Sequence, residues 1–313
     1  MASKDHKKAV AANLAVFNSE FAIKYDGKES QQTLALLFVK HLLEYNFTNP
    51  TSRKSPSETS TPIGDASKPH SGFTVDSSLP DPKTYLEKHP SSIFKPGMKL
   101  LDFACGTGIV SELFVPYIQG GELIGMDISK LFLERFNQRA EKITAENDLV
   151  MKSYEYDVLD EDKQDELKQF EGEFDAIVCT IAYHHIANYE QVTKKLASFL
   201  KSGGYLFIVD FYNEDVEEVS VGGGVSEAVL HMGGLKIDKL NHTLGDYAGL
   251  VNVSSAREFM VSIWQPESFI STHSRQVVID KLKNGELPKR TAPDGDVEYL
   301  IDTSLIYAVG QKK

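Results

Sequence analysis

Between residues 99 and 211, short apolar runs alternate with stretches whose apolar residues recur every three or four positions, the pattern of strands feeding helices. Runs at 99–103, 122–126, 149–158, 174–180 and 205–211 predict strands, and the last is apolar at all positions but Asp210, as a strand covered on both faces is. Helices are predicted at 109–118, at 161–170, and around the stripes Phe132, Phe136, Ala140, Ile143 and Val192, Leu196, Phe199, Leu200. Asn188 with Gln191 reads as a capping pair for that last helix, and Gly203-Gly204 as its end. Residues 250–264 and 297–309 alternate like a pair of antiparallel strands, and the connection between them is long enough to hold a helix near 274–282. Residues 225–245 again have helical spacing. Upstream, Leu34, Leu37, Phe38, His41, Leu42 and Tyr45 make a helical stripe, with Ser30 as its cap. Together these predict an α/β chain: a mostly parallel sheet of seven strands with helices on both faces.

One stretch breaks the pattern. Of the 35 residues at 48–82, 19 are Ser, Thr or Pro and few are large and apolar, too little burial to offset the entropy of ordering. The expected organisation is therefore an N-terminal helical lid (1–47), a disordered insertion without chemistry (48–82) and an α/β core with C-terminal additions (83–313). Composition narrows the partners. A net charge of −12 argues against a nucleic-acid substrate, whose phosphates call for a basic surface. Ten acids and two lysines lie between 155 and 175, read as a solvated face. The charged start and the absence of a long apolar run predict no secretory signal and no membrane span, and the two cysteines predict no disulfide framework; the expected location is the cytoplasm, shared or not with the nucleus.

The candidate chemistry begins at Lys99-Leu-Leu-Asp-Phe-Ala-Cys-Gly-Thr-Gly-Ile109, a strand that turns sharply into a helix. Gly106 and Gly108 open backbone angles closed to other residues and let a ligand lie against the main chain, with the amides of the following helix directed at it. A pyrophosphate turn reads G-x-G-x-x-G; here Ser111 stands at the third glycine, and Asp102 puts a carboxylate inside the turn that would repel a diphosphate and welcome a cation. Asp127, ending the next apolar run, is the acid that a two-strand nucleotide unit uses to hold ribose hydroxyls. The pair points to a ribose carrying a positive appendage.

These residues resemble the class I S-adenosylmethionine-dependent methyltransferases, in particular the small-molecule branch that includes the ubiquinone/menaquinone-biosynthesis type. The resemblance is good over residues 93–211 and loose elsewhere. Asp102 with Ala104-Cys-Gly-Thr-Gly108 is similar to the family's first motif, with Ala104 where many members have glycine; Tyr156-Asp157-Val158 and Phe174-Asp-Ala-Ile-Val-Cys-Thr180 are similar to the third and fourth. The resemblance implies a Rossmann-like seven-stranded sheet with an antiparallel last strand, S-adenosyl-L-methionine as cofactor, and contacts to it from Ile128 beside Asp127, from Asp157 and Val158 at the adenine, and from Thr180 near the methyl group. It also implies that the aromatic stretch 16–26 folds over the site, with Phe17, Phe21 and Tyr25 excluding water. The alternative is that these aromatics only dock a helix on the core.

The acceptor is less constrained. Tyr183, His184 and His185 follow a central strand's carboxyl end, where open α/β sheets hold their ligands. Methyl transfer needs alignment and dryness first, and a base only if the acceptor arrives protonated. One of the two histidines is the candidate base, against structural or substrate-shaping roles. Two adjacent histidines without Cys, Asp or Glu at ligand spacing make a poor metal site, so no metal is expected. Tyr212 is placed as a further contact at the end of the cleft, and His231, in a turn resembling that of related fungal-type enzymes, as another. Cys179 reads as a small buried hydrophobe, and no Asn-Pro-Pro-Tyr-like run follows Asp175 to hold an amide nitrogen. The expected activity is methylation of a small-molecule acceptor; a protein methyltransferase acting on a lysine or terminal amine, or a non-catalytic cofactor-binding module, are the other readings.

Overall fold

The computed structural model describes residues 4–17, 25–48, 62–63, 78–212, 228–231, 234–274 and 276–313. One mixed sheet organises them. Its strands are β1 (Pro62–Ile63), β2 (Lys99–Phe103), β3 (Glu122–Asp127), β4 (Val150–Glu155), β5 (Phe174–Thr180), β6 (Leu200–Tyr212), β7 (Val251–Pro266), β8 (Lys289–Thr291) and β9 (Val297–Gln311), in the order β1-β7-β9-β6-β5-β2-β3-β4, with β8 paired to β9. Strands β2 to β6 run parallel, and β9 enters antiparallel between β6 and β7. The sheet thus has nine strands where the periodicity predicted seven. The two additional ones are two and three residues long, β8 reading Lys-Arg-Thr, and neither carries enough pattern to announce itself.

Helices cover both faces. On one side Leu34, Leu37, Phe38 and Leu42 of the helix Glu29–Leu43 are buried with Phe114 and Phe136; on the other, Leu196 and Phe199 pack with Phe170 and Leu240. The stripe predicted for the helix Lys130–Glu146 is buried as written, and the Ser129 side chain caps it by accepting from the Phe132 amide. Phe136 from that helix presses so closely on β3 and the glycine turn that a Cβ on Gly125 would lie 2.5 Å from its ring and one on Gly108 2.7 Å. The helix and the turn are therefore locked together by two missing side chains.

Three local expectations change. The helix of residues 29–43 has Lys28 at its N-cap, with Ser30 buried inside its first turn. Asn188 occupies the N-cap of the helix Tyr189–Phe199 without a capping bond from its side chain. Gly203 and Gly204 belong to β6, where the pairing with β5 is bulged between Phe174 and Ala176 and Gly203 takes a φ of +81°. The connection after β7 holds two helices, Glu267–His273 and Gln276–Lys283, around the predicted position. Of the predicted insertion only residues 48, 62–63 and 78–82 are described; Phe21, Gly222-Gly-Gly224 and the side chain of Tyr212 also lie outside the described residues. Among the described residues no helix is long and apolar enough to cross a membrane.

Candidate active site

The carboxyl ends of β2, β3, β4 and β5 open into a cavity of about 520 Å³, within the usual ligand-pocket range of roughly 300–1,000 Å³. Its floor is the turn after β2. Ala104, Gly106 and Gly108 all take left-handed angles, at φ +57°, +54° and +84°, so the chain doubles back with Ala104 tolerating a conformation that costs a side chain about 1 kcal/mol. Asp127 fastens this turn. Its Oδ2 accepts the Gly106 amide at 2.9 Å and its Oδ1 the Ser129 amide at 2.8 Å, while the carboxylate lines the cavity. Burial raises its pKa despite these bonds and a further one from the Ile128 amide.

Asp102 sits one layer below. Its Oδ2 accepts from the Ser111 hydroxyl at 2.6 Å, its Oδ1 is buried with no hydrogen-bond partner among the described residues, and burial with the charge of Asp127 outweighs the Ser111 bond and pushes its pKa up to about 7. It does not line the cavity, so it acts on a guest through its field. Gly108 likewise stays off the wall, its place set by Phe136. The other residues expected at the cofactor, Tyr25, Ala104, Gly106, Asp127, Ile128, Asp157, Val158 and Thr180, are brought together around the cavity. Burial and the carboxylates of Asp26, Asp127 and Asp102 hold the Tyr25 hydroxyl above its ordinary range, which keeps it a hydrogen-bond donor. Burial also pushes both cysteine thiols up, with Asp127 and Asp102 adding to it at Cys105 and Asp210, Asp102 and Asp127 at Cys179, which leaves both as packing residues.

The first helix, Lys4–Val16, lies across the opening. His6 Nε2 is 2.8 Å from Asp157 Oδ2, two turns later Asn13 Nδ2 donates to the His185 carbonyl at 3.3 Å, and Phe17 stands edge-on to the His185 ring. Asp157 is half-buried; burial alone would raise its pKa, and the His6 bond, the Leu159 amide and the charge of Lys7 together leave it lowered. A second clamp holds the segment at Tyr25: Asp26 accepts from the Thr107 hydroxyl and, at 2.9 Å, from Arg139 Nη2, tying that segment to the glycine turn. None of His6, Asn13 or Arg139 was signalled by a motif; His6 and Asn13 share a helix face at a spacing of seven, a signal too common to single out.

At the far end the chain leaves β5 through Ile181, whose φ of +52° is an outlier for a β-branched residue and stores about 1–3 kcal/mol of strain. The tight turn Tyr183–His185 follows. His184 and His185 line the cavity, whereas Tyr183 is wholly buried beneath it with its hydroxyl 3.1 Å from Thr193. His231 is also off the wall: its amide donates to the His184 carbonyl and its ring packs on Tyr189, so it braces the turn from behind. The residue that motif reading missed is Asp210. Fully buried in β6, it bonds His184 Nδ1 at 2.7 Å. The only forewarning was an acid inside an apolar strand.

Residues 101–206 match the family model described as a methyltransferase domain. This run contains the glycine turn, both acids at the strand ends and the His-His turn. The chain carries a class I S-adenosylmethionine-dependent methyltransferase domain. An uncharacterized methyltransferase of Schizosaccharomyces pombe is similar to this methyltransferase at 28% identity over 287 residues, 88% of this chain and 93% of that one. A ubiquinone biosynthesis O-methyltransferase of Photobacterium profundum is 28% identical over 123 residues, which cover 39% of this chain and 47% of that protein. Among solved structures, the YcgJ protein of Bacillus subtilis superposes with a TM-score of 0.49 at 17% identity, covering 72% of this chain and 97% of that one.

The residues at the near end fit the cofactor on their own chemistry. A sulfonium ribonucleoside brings positive charge to a turn with two buried acids whose pKa values are raised, and hydroxyls to Asp127 on the cavity wall.

Proposed function

We propose that this methyltransferase acts on a small-molecule acceptor, bound under the helix Lys4–Val16 beside the His-His turn. The observation that carries the reading is the cavity itself. It continues past the glycine turn and Asp127 into a largely apolar chamber walled by Phe17, Ile186, Phe211, Val229 and Phe269, and it is roofed by residues from both ends of the chain. Such a chamber suits a compact apolar guest. The name of the Photobacterium relative, an O-methyltransferase of ubiquinone biosynthesis, is in keeping with this, although the match spans under half of that protein.

The cofactor, when bound, supplies an electrophilic methyl group on positive sulfur. What the chain does is align and exclude. Asp127, Asp157 and the glycine turn hold the nucleoside against the sheet, and a near-attack geometry of this kind is worth several kcal/mol of barrier. The aromatic rings of Phe17 and Tyr25, at 5.8 Å and 6.0 Å from that of Phe132, seal the side of the cavity that would otherwise admit water.

The test is transfer from tritium-labelled S-adenosylmethionine to a cell extract split into low- and high-molecular-weight fractions. Label in the low-molecular-weight fraction is the expected result, and label confined to macromolecules overturns the reading.

A further inference from the structure

We propose that the side-chain amide of Gln265 selects the acceptor by hydrogen-bonding one of its oxygens, remote from the atom that takes the methyl group. The acceptor is accordingly an apolar compound that carries a carbonyl or hydroxyl at that remote position. The proposal rests on the small-molecule reading above and goes further by naming a group the acceptor must bear and the residue that reads it.

The chain puts Gln265 where an apolar residue would be expected. Along the end of β7, Val261-Ser-Ile-Trp-Gln-Pro266, the register with β9 is unbroken, so side chains alternate between the two faces of the sheet. Val261 and Ile263 are wholly buried on one face, in the cluster that contains Leu34, Phe211 and Ile270, and Gln265 is next in that row. It is 5% exposed and lines the cavity. Among the described residues its side chain has no hydrogen-bond partner. A buried amide left that way bears the full cost of its lost water, and an unbranched apolar side chain of the same length would serve the packing better. The partner that the chain does not supply is an occupant of the cavity.

The supports around it are those of a fixed recognition group. Pro266 follows and confines Gln265 to extended backbone. Tyr299, opposite Gln265 on β9, is also paired with Lys289 of β8, so this end of β7 belongs to a three-stranded ribbon. Arg290 of β8 lies over the Trp264 ring at 4.7 Å, and it donates to Glu298 Oε2 at 2.8 Å through Nη2 and to Glu29 Oε2 at 2.9 Å through Nη1. The last of these ion pairs draws the first turn of the helix Glu29–Leu43 toward the end of β7. Beyond Gln265 the wall turns apolar again, where Phe269 packs on Phe211 with 5.6 Å between ring centroids. A rigid amide in an apolar wall discriminates by omission: a guest without the matching oxygen leaves the amide unpaired, and that penalty rejects it more strongly than a missing methylene would.

The experiment uses the full chain, tritium-labelled S-adenosylmethionine and serial dilutions of the low-molecular-weight extract fraction as acceptor. Gln265→Met keeps the length and unbranched shape of the side chain and removes its hydrogen bonds. Its rate at dilute extract is expected to fall by about 10–100-fold, while the rate at saturating extract and the cofactor affinity stay within about threefold of the parent, the pattern of binding lost equally from ground and transition states. Its midpoint of thermal unfolding should equal or exceed that of the parent, because an unpaired amide has given way to an apolar side chain. The labelled product, analysed by mass and fragmentation, should contain at least one oxygen that is not the methylated atom. An unchanged rate at dilute extract overturns the proposal, and so does a product without such an oxygen. A lowered midpoint or a failure to fold overturns it by giving the amide a structural task, and a matching loss of cofactor affinity overturns it by moving Gln265 to the nucleoside end. In all of these cases label in the low-molecular-weight fraction leaves the small-molecule reading intact; label found only in macromolecules overturns both.

Discussion

At the nucleoside end of the cavity the wall comes from three strand ends, residues 103–106, 126–129 and 156–158, each a short run of consecutive residues. At the acceptor end it comes from Asn13, Phe17, His184, Phe211, Val229 and Phe269, six residues from five separate parts of the chain. The first end is made mainly of backbone conformation and of carboxylates bonded to nearby amides. The second is made of side chains that meet only because the sheet has folded. Local construction leaves a spelling in the sequence, and assembled construction does not, so the two ends should also respond differently to substitution.

The largest effect is expected at the acceptor end. His184→Ala should lower turnover by about 10²–10⁴-fold while cofactor binding, measured by calorimetry, stays within a few-fold of the parent. A similar loss of cofactor affinity would show that the two ends are not separable. Next is the packing that supports the nucleoside end. Gly125→Ala drives a Cβ into the Phe136 ring and should cost about 1–3 kcal/mol of stability, read from denaturant unfolding. Asp127→Ala should weaken cofactor binding by about 1–3 kcal/mol, since it strands two backbone amides along with the guest's hydroxyls; unchanged affinity would remove Asp127 from the site.

Asp102 offers a sharper test, because it is near the cavity without touching it. Its acid is held at about 7 in the folded chain and titrates near 4 when unfolded. Between those values the folded protein binds more protons, so stability falls as pH rises from about 4 through 7, by roughly 1–4 kcal/mol, and Asp102→Asn should flatten that dependence. A positively charged guest lowers the same pKa, so cofactor binding near pH 6–7 should release protons, measurable by calorimetry in buffers of different ionisation enthalpy. Absence of that release would mean the field of Asp102 does not reach the guest. The smallest effect is at His6. His6→Ala should cost about 0.5–1.5 kcal/mol of cofactor affinity, by freeing the helix from Asp157.

What was legible follows the same division. The apolar runs at 122–126 and 174–180 marked β3 and β5 closely, and the glycine turn with Asp127 marked the site's floor, because each is a statement about a few neighbouring residues. Asp102 shows the limit: its charge could be read, but whether it faces the guest or the Ser111 hydroxyl depends on how the helix packs above it. Tyr183 and His231 flank the right turn yet point away from the cavity, since their neighbours Thr193 and Tyr189 compete for them. Asp210 was hidden for the opposite reason. Nothing local distinguishes it from a strand-end acid, and its partner lies 26 residues upstream on the neighbouring strand's loop.

The helix Lys4–Val16 touches Asp157 through His6 and the His-His turn through Asn13, and seven residues of helix span about 10 Å as a stiff rod. A rod pinned at two points transmits tilt. A nucleoside that draws Asp157 toward its base moves one end of that rod, and the other end carries the motion to the loop that meets the acceptor. The two halves of the pocket thus share one ceiling, whose height is set jointly by the residues that hold it at either end.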